Sequence, residues 1–157
     1  MAKPSNIRSA TDLATVTNTD AETTLASVVI PAFNIKMDHV IDIALAVKTP
    51  STDSSDTLTV KLKLGSVVLA TVAAFDAANA NVCWIRLKGF IDASTSLLHF
   101  IAEDGRTGAA ADVEETTDVA FDCNAALTLS ATATWSVAAA ANQAVPKYFT
   151  VTLQPVD

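Results

Sequence analysis

Between Thr57 and Leu64 every second residue is apolar: Leu58, Val60, Leu62 and Leu64 alternate with Thr57, Thr59, Lys61 and Lys63. A period of two is the spacing of a β-strand with one face in a core and the other in water. The same alternation returns from Ala126 to Trp135, where Leu127, Leu129, Ala131, Ala133 and Trp135 oppose Thr128, Ser130, Thr132 and Thr134. It returns once more near the end, where Phe149, Val151 and Leu153 alternate with Tyr148, Thr150 and Thr152 before Pro155 stops the run. A chain marked this way at its middle and its end is constrained to stacked sheets.

Further β-rich runs cover Leu13–Thr17, Thr23–Ile30, His39–Val47, Ser66–Val72, Asn81–Ile91, Leu97–Ala102 and Thr116–Phe121. Gly65-Ser66 separates two of the runs and predicts a tight hairpin, glycine supplying the positive φ that such turns use. In His39–Val47 the apolar row is Ile41, Ile43, Leu45 and Val47; in Asn81–Ile91 it is Cys83, Ile85, Leu87 and Ile91. The opposite row of the latter carries Trp84, Arg86, Lys88 and Phe90, aromatic rings interleaved with cations, which suits a snorkelling outer face or a subunit contact.

The expected total is about nine strands. They are joined by long connections at Lys48–Asp56, Ala73–Ala80, Glu103–Glu115 and Ser136–Pro146. Many strands with long crossings imply an all-β, antiparallel two-sheet sandwich of jelly-roll type. An immunoglobulin-like sandwich fits less well, because Trp84 directly follows Cys83 instead of lying between two strand cysteines. Ala138–Ala141 is too short and uncapped for more than a turn. With 157 residues the chain supports one domain, residues 13–157, preceded by an extended N-terminal arm over residues 1–12 that has little periodic pattern.

Half of the residues are hydrophobic and 17% are charged, so the chain is expected to fold; a net charge of −7 argues against nucleic acid and anionic membranes as partners. Met1–Arg8 is basic with no apolar region behind it, and no run is long enough to span a bilayer. Cys83 and Cys123 are expected to be free thiols, the latter the more exposed.

Catalytic patterns are not evident. His39 and His99 have no second metal ligand at close spacing and read as structural. No G-x-S-x-G elbow, phosphate-cradling loop or EF-hand spacing occurs in a chain with 4 glycines. Glu103, Asp104, Asp112, Glu114, Glu115 and Asp118 form the densest acidic stretch and read as a solvated loop, with adventitious calcium or a carboxylate pair as the functional alternatives. Asp53 and Asp56 read as turn residues. Trp84, Arg86 and Lys88 would suit stacking of a sugar or a base, but three residues on one strand more simply make a packed surface. No cofactor, metal or catalytic residue is expected.

Three segments carry a resemblance: VTNTDAETTLASVVIPA at Val16–Ala32, DTLTVKLKLG at Asp56–Gly65, and ATWSVAAAANQA at Ala133–Ala144 ahead of a final Phe-Thr-Val strand. In texture and segment order, from about Val16 onward, the chain resembles jelly-roll-like head decoration (cement) proteins of tailed bacteriophages and related fibre or spike modules. That resemblance implies a virion protein made in a bacterial cytoplasm. It implies a homotrimer that clamps the major capsid protein of the expanded head, with no cofactor. The contact residues it suggests are Ile7 and Arg8 in the arm, with Trp84, Arg86, Lys88 and Phe90. The alternative is a receptor-binding module of the same fold that places glycan among Trp84, Phe75 or Tyr148.

Overall fold

The computed structural model describes residues 6–10, 13–32, 38–50, 52, 55–77, 81–115 and 118–156. Among the described residues twelve strands follow one another: β1 (Asn6–Ser9), β2 (Val16–Thr17), β3 (Thr23–Ile30), β4 (His39–Thr49), β5 (Thr57–Leu64), β6 (Val67–Asp76), β7 (Asn81–Asp92), β8 (Leu97–Arg106), β9 (Asp112–Glu115), β10 (Val119–Ala120), β11 (Leu127–Trp135) and β12 (Gln143–Pro155). They form two antiparallel sheets. The larger runs β1-β12-β4-β7-β8-β10, with β2 also on the free edge of β12 and β9 also on that of β8; the smaller runs β3-β11-β5-β6.

This is the all-β, two-sheet jelly-roll sandwich that the alternation predicts. The alternating apolar rows meet between the sheets. Leu58, Val60, Leu62, Leu129, Ala131, Ala133 and Trp135 come from the smaller sheet; Ile41, Ile43, Leu45, Ile85, Leu87, Leu98, Phe149, Val151 and Leu153 come from the larger. Their near-complete burial is the main driving force for the fold, at about 1.5–3 kcal/mol for each large side chain.

The hairpin at Gly65-Ser66 is present, with Leu64 opposite Val67 and Gly65 at φ +57°. Several boundaries move. β6 continues to Asp76 through what reads as a connection, because Phe75 turns inward and is buried. β8 continues through Glu103-Asp104-Gly105-Arg106, and β9 returns beside it, so the polar stretch forms a hairpin. Its polar residues are tolerated because this edge of the sheet is largely solvent-facing. β12 starts at Gln143 and runs through Pro146; the register against β4 shifts between Pro146 and Tyr148, and a bulge is where an interior strand accepts a residue without an N–H.

Within the stretch read as an arm, Asn6–Ser9 pairs with β12 of the same chain, Asn6 opposite Leu153 and Ser9 opposite Thr150; residues 1–5 and 11–12 lie outside the described set. Asn142 is fully buried and ties the turn before β12 to the start of β5. Its Nδ2 donates to Asp56 Oδ2 at 2.8 Å and to the Val137 carbonyl at 3.2 Å.

Candidate functional site: the outer face of the larger sheet

The two outer faces differ in character. On the smaller sheet, Lys61 and Lys63 both reach Glu22, at 3.0 and 2.6 Å, among the outward hydroxyls of Thr59, Thr128, Ser130 and Thr134. The two ammonium groups hold the Glu22 carboxyl down at about 2. That face satisfies its own charges.

The larger sheet presents something else. Antiparallel register places Trp84 between Ala46 and Gly105, Arg86 between Ala44 and Glu103, Lys88 between Asp42 and Ile101, and Phe90 between Val40 and His99. Residues directly opposite one another share a face, so these four rows form one continuous surface. Its large apolar members are markedly exposed: Ile101 56%, Val113 54%, Phe90 45%, Val40 44% and Tyr148 41%. Singly exposed apolar residues need no explanation, whereas these fall in adjacent rows of one face.

Local packing fixes the polar groups in this setting. The Trp84 indole packs against Gly105, where an added Cβ would stand 2.5 Å from Cζ2. The Arg86 guanidinium sits over the indole, 5.5 Å from its centroid. Phe90 stacks on the His99 imidazole, with centroids 4.7 Å apart and planes 24° apart, and His99 Nδ1 lies 2.7 Å from Asp118 Oδ1. Between β7 and β8, Arg86, Lys88, Ile101 and Glu103 line a depression of about 310 Å³. Among the described residues, neither Arg86 nor Lys88 takes part in an ion pair, unlike Lys61 and Lys63.

Trp84, Arg86, Lys88 and Phe90 are therefore brought together as their spacing predicts. Ile7 and Arg8 are not with them: their backbones pair with Thr152 and Val151 in the β1 strand, three strands from β7 and so about 14 Å away across the sheet. Sequence reasoning missed Val40, Ile101, Glu103 and Val113 as members of this face. The signals for Val40 and Ile101 were available, since each lies in a recognised strand opposite its apolar row; Glu103 and Val113 became legible only once pairing was known.

The remaining candidates fall elsewhere. Phe75 is buried, with the Arg106 guanidinium 5.1 Å over its ring, so it is not an exposed aromatic. Cys123 is buried too, contrary to expectation, because the turn at residues 122–125 folds over it and its thiol donates to the Phe121 carbonyl. Both cysteines are free. Burial pushes the Cys83 thiol up to about 12, and it raises Cys123 as well, helped by Asp122.

Asp104 and Asp112 stand opposite each other across β8 and β9. Partial burial and then the Asp112 charge raise the Asp104 carboxyl above its ordinary range. Asp56 anchors Asn142. Asp53 and the side chains of Glu114 and Glu115 lie outside the described set. Among the described residues, no group of three or more His, Cys, Asp or Glu side chains is placed to hold a metal ion, and no helix is long and apolar enough to cross a membrane.

The fold is that of a jelly-roll β-sandwich. No family model matches the chain, and no curated protein matches it. Solved structures of similar architecture include winged bean acidic lectin complexed with methyl-α-D-galactose (TM-score 0.49, 10% identity, covering 99% of this chain and 94% of that one). Peanut lectin with a nine-residue peptide is another (TM-score 0.49, 4% identity, 98% and 92% covered). A third is a protein of unknown function from Shewanella oneidensis MR-1 (TM-score 0.48, 10% identity, 96% and 79% covered). At such identities the likeness is one of architecture and says nothing of what this chain binds.

Proposed function

We propose that the chain is a non-catalytic structural module of a bacteriophage particle, a head decoration or cement subunit that works by surface association. The observation that carries the association reading is the outer face of the larger sheet, where Trp84, Arg86 and Phe90, of residue types enriched at protein–protein contacts, lie beside Lys88 and the exposed Ile101. The phage context comes from the resemblance of Val16–Ala32, Asp56–Gly65 and Ala133–Ala144 to decoration proteins. Such a subunit stabilises a shell by binding the assembled lattice better than free capsid subunits, a linkage effect repeated at many equivalent sites. It associates with copies of itself and with the major capsid protein, and needs neither cofactor nor chemistry.

The test is addition of the purified chain to undecorated, expanded phage heads. Saturable binding at symmetry-defined positions, with raised resistance to heat, is expected; failure to bind any expanded head sinks the reading.

A second reading, a glycan-binding module, is favoured by one feature: Tyr148 and Phe90 keep exposed ring surface on the same face. On the same face the Trp84 ring already carries the Arg86 guanidinium 5.5 Å from its centroid, so Tyr148 and Phe90 are the rings this reading assigns to a sugar. Binding on a glycan array that is lost in Tyr148→Ala and Phe90→Ala, without binding to heads, would make it the better account.

A further inference from the structure

We infer that the depression between β7 and β8 is a binding site for a sugar acid, a pyranose ring that carries one carboxylate and free hydroxyls. The inference goes beyond the association reading, which asks nothing of a small ligand, and it gives the glycan alternative a ligand class and residues to bind it. It begins from charges that stand side by side without pairing. Arg86 lies directly opposite Glu103 on β8, and Lys88 directly opposite Asp42 on β4. Opposite charges in such positions stabilise a sheet when they meet, yet among the described residues none of these four side chains takes part in an ion pair. For Arg86 the cause is visible: its guanidinium is drawn onto the Trp84 ring, 5.5 Å from the centroid. Glu103 is left without its cross-strand cation. Arg86, Lys88, Ile101 and Glu103 line about 310 Å³, at the lower end of the range for small-molecule sites.

The smaller sheet shows what two cations at this spacing hold. Lys61 and Lys63 stand two residues apart on the outer face of β5, and both close on one carboxylate, that of Glu22, at 3.0 and 2.6 Å. Arg86 and Lys88 repeat the arrangement on β7, about 7 Å apart at the backbone, with no carboxylate of the chain between them. A carboxylate brought by a ligand completes it through charge-assisted hydrogen bonds, the strong kind. Because Arg86 is already seated on an indole, it loses less freedom in making them.

The other two walls set the rest of the ligand. Ile101 is 56% exposed and offers an apolar patch to the C–H face of a ring. An ionised Glu103 only accepts hydrogen bonds, so the ligand must also bring donors, and a vicinal pair of hydroxyls matches its two oxygens. The same carboxylate discriminates against other anions, since a phosphorylated sugar would set nearly two negative charges beside it. A neutral sugar leaves Arg86 and Lys88 unanswered. An α-amino acid supplies the carboxylate, but its ammonium group has three donors to satisfy and one acceptor side chain in the depression to meet them.

Amide shifts of the isotope-labelled full chain, followed by NMR during titration, test the site. D-glucuronate is expected to move resonances around Arg86, Lys88, Ile101 and Glu103 saturably, and D-glucose to bind about tenfold or more weakly. Arg86→Ala and Lys88→Ala should each weaken glucuronate by about tenfold, with circular dichroism reporting that both remain folded. Glucose 6-phosphate should bind the wild type about tenfold more weakly than glucuronate, and the isosteric Glu103→Gln should remove that preference, which a merely structural Glu103 would not do. That variant keeps the test decisive if an alanine variant is unstable. A galacturonate tetramer that binds tighter than galacturonate assigns the site to an acidic polysaccharide, and equal affinity assigns it to a free sugar acid; either supports the inference. No saturable shift at these residues, an equal response to glucose, tighter binding of glutamate, or indifference to both alanine variants overturns it. A chain that decorates heads and ignores sugar acids removes this site and leaves the association reading standing, while one that binds glucuronate here and ignores heads does the reverse. Glycan-array binding lost in Tyr148→Ala but untouched in Arg86→Ala would keep the glycan alternative without this site.

Discussion

Gly105→Ala is a sharp probe of how the larger sheet holds its outer face. The added methyl would lie 2.5 Å from Trp84 Cζ2, 2.6 Å from Cε2 and 2.8 Å from Nε1, where ordinary contact needs about 3.5 Å or more. The indole must therefore withdraw by about 1 Å or swing off the sheet, and the Arg86 guanidinium stacked on it loses its seat. Overpacking of this kind costs about 1–3 kcal/mol. For a chain of this length that is a fall of about 2–12 °C in Tm.

Urea denaturation gives the free energy, and fluorescence gives the cause. Trp135 is buried at 1% exposure and should report no change, so a red shift in native emission would belong to Trp84. A double-mutant cycle makes the argument refutable. If the penalty is the collision, Gly105→Ala should cost almost nothing in a Trp84→Ala background. An equal cost in both backgrounds, or an unshifted emission spectrum in the single variant, would refute the packing account.

Asn142→Ala removes the two Nδ2 hydrogen bonds to Asp56 and Val137 and should cost about 1–2 kcal/mol in urea denaturation, the loss of two part-buried hydrogen bonds. Glu22 has a folded pKa of about 2 against an ordinary 4.5, so its contribution is complete above pH 4.5 and disappears as pH falls through 2. Compared with Glu22→Gln, the wild type should be more stable by less than about 1 kcal/mol at pH 7 and no more stable near pH 2, a gap that shrinks in 1 M salt. With Cys83 pushed up to about 12 and Cys123 buried, a thiol reagent at pH 8 should leave the native chain nearly unlabelled and modify two thiols in urea.

Much of the fold was legible because alternation is an intrinsic signal. Thr57–Leu64 carries it undiluted, and its strand begins and ends where the pattern does. Legibility failed where a strand's identity depends on its neighbour. Glu103–Arg106 is polar along its length and looks like a loop; it is a strand because β7 on one side and β9 on the other supply its hydrogen bonds. Pro146 falls in what reads as a connection, and only the bulge that accommodates it places it in a strand. The candidate surface divides the same way. Trp84, Arg86, Lys88 and Phe90 lie on one strand and can be read off at spacing two, whereas Glu103 and Val113 join them through cross-strand register, which a single sequence does not encode locally.

The strand order also has a temporal meaning. β11 is the middle of the smaller sheet, between β3 and β5, and β12 separates β1 from β4 in the larger; they are the last two strands to be synthesised. Until they exist, β3 and β1 have no neighbour to pair with, so a nascent chain holds unpaired strand edges and unburied apolar rows through most of its translation. Such a chain commits to its structure late and all at once. Shortening it from the C-terminal side should leave no stable half-domain behind, only an aggregation-prone remnant.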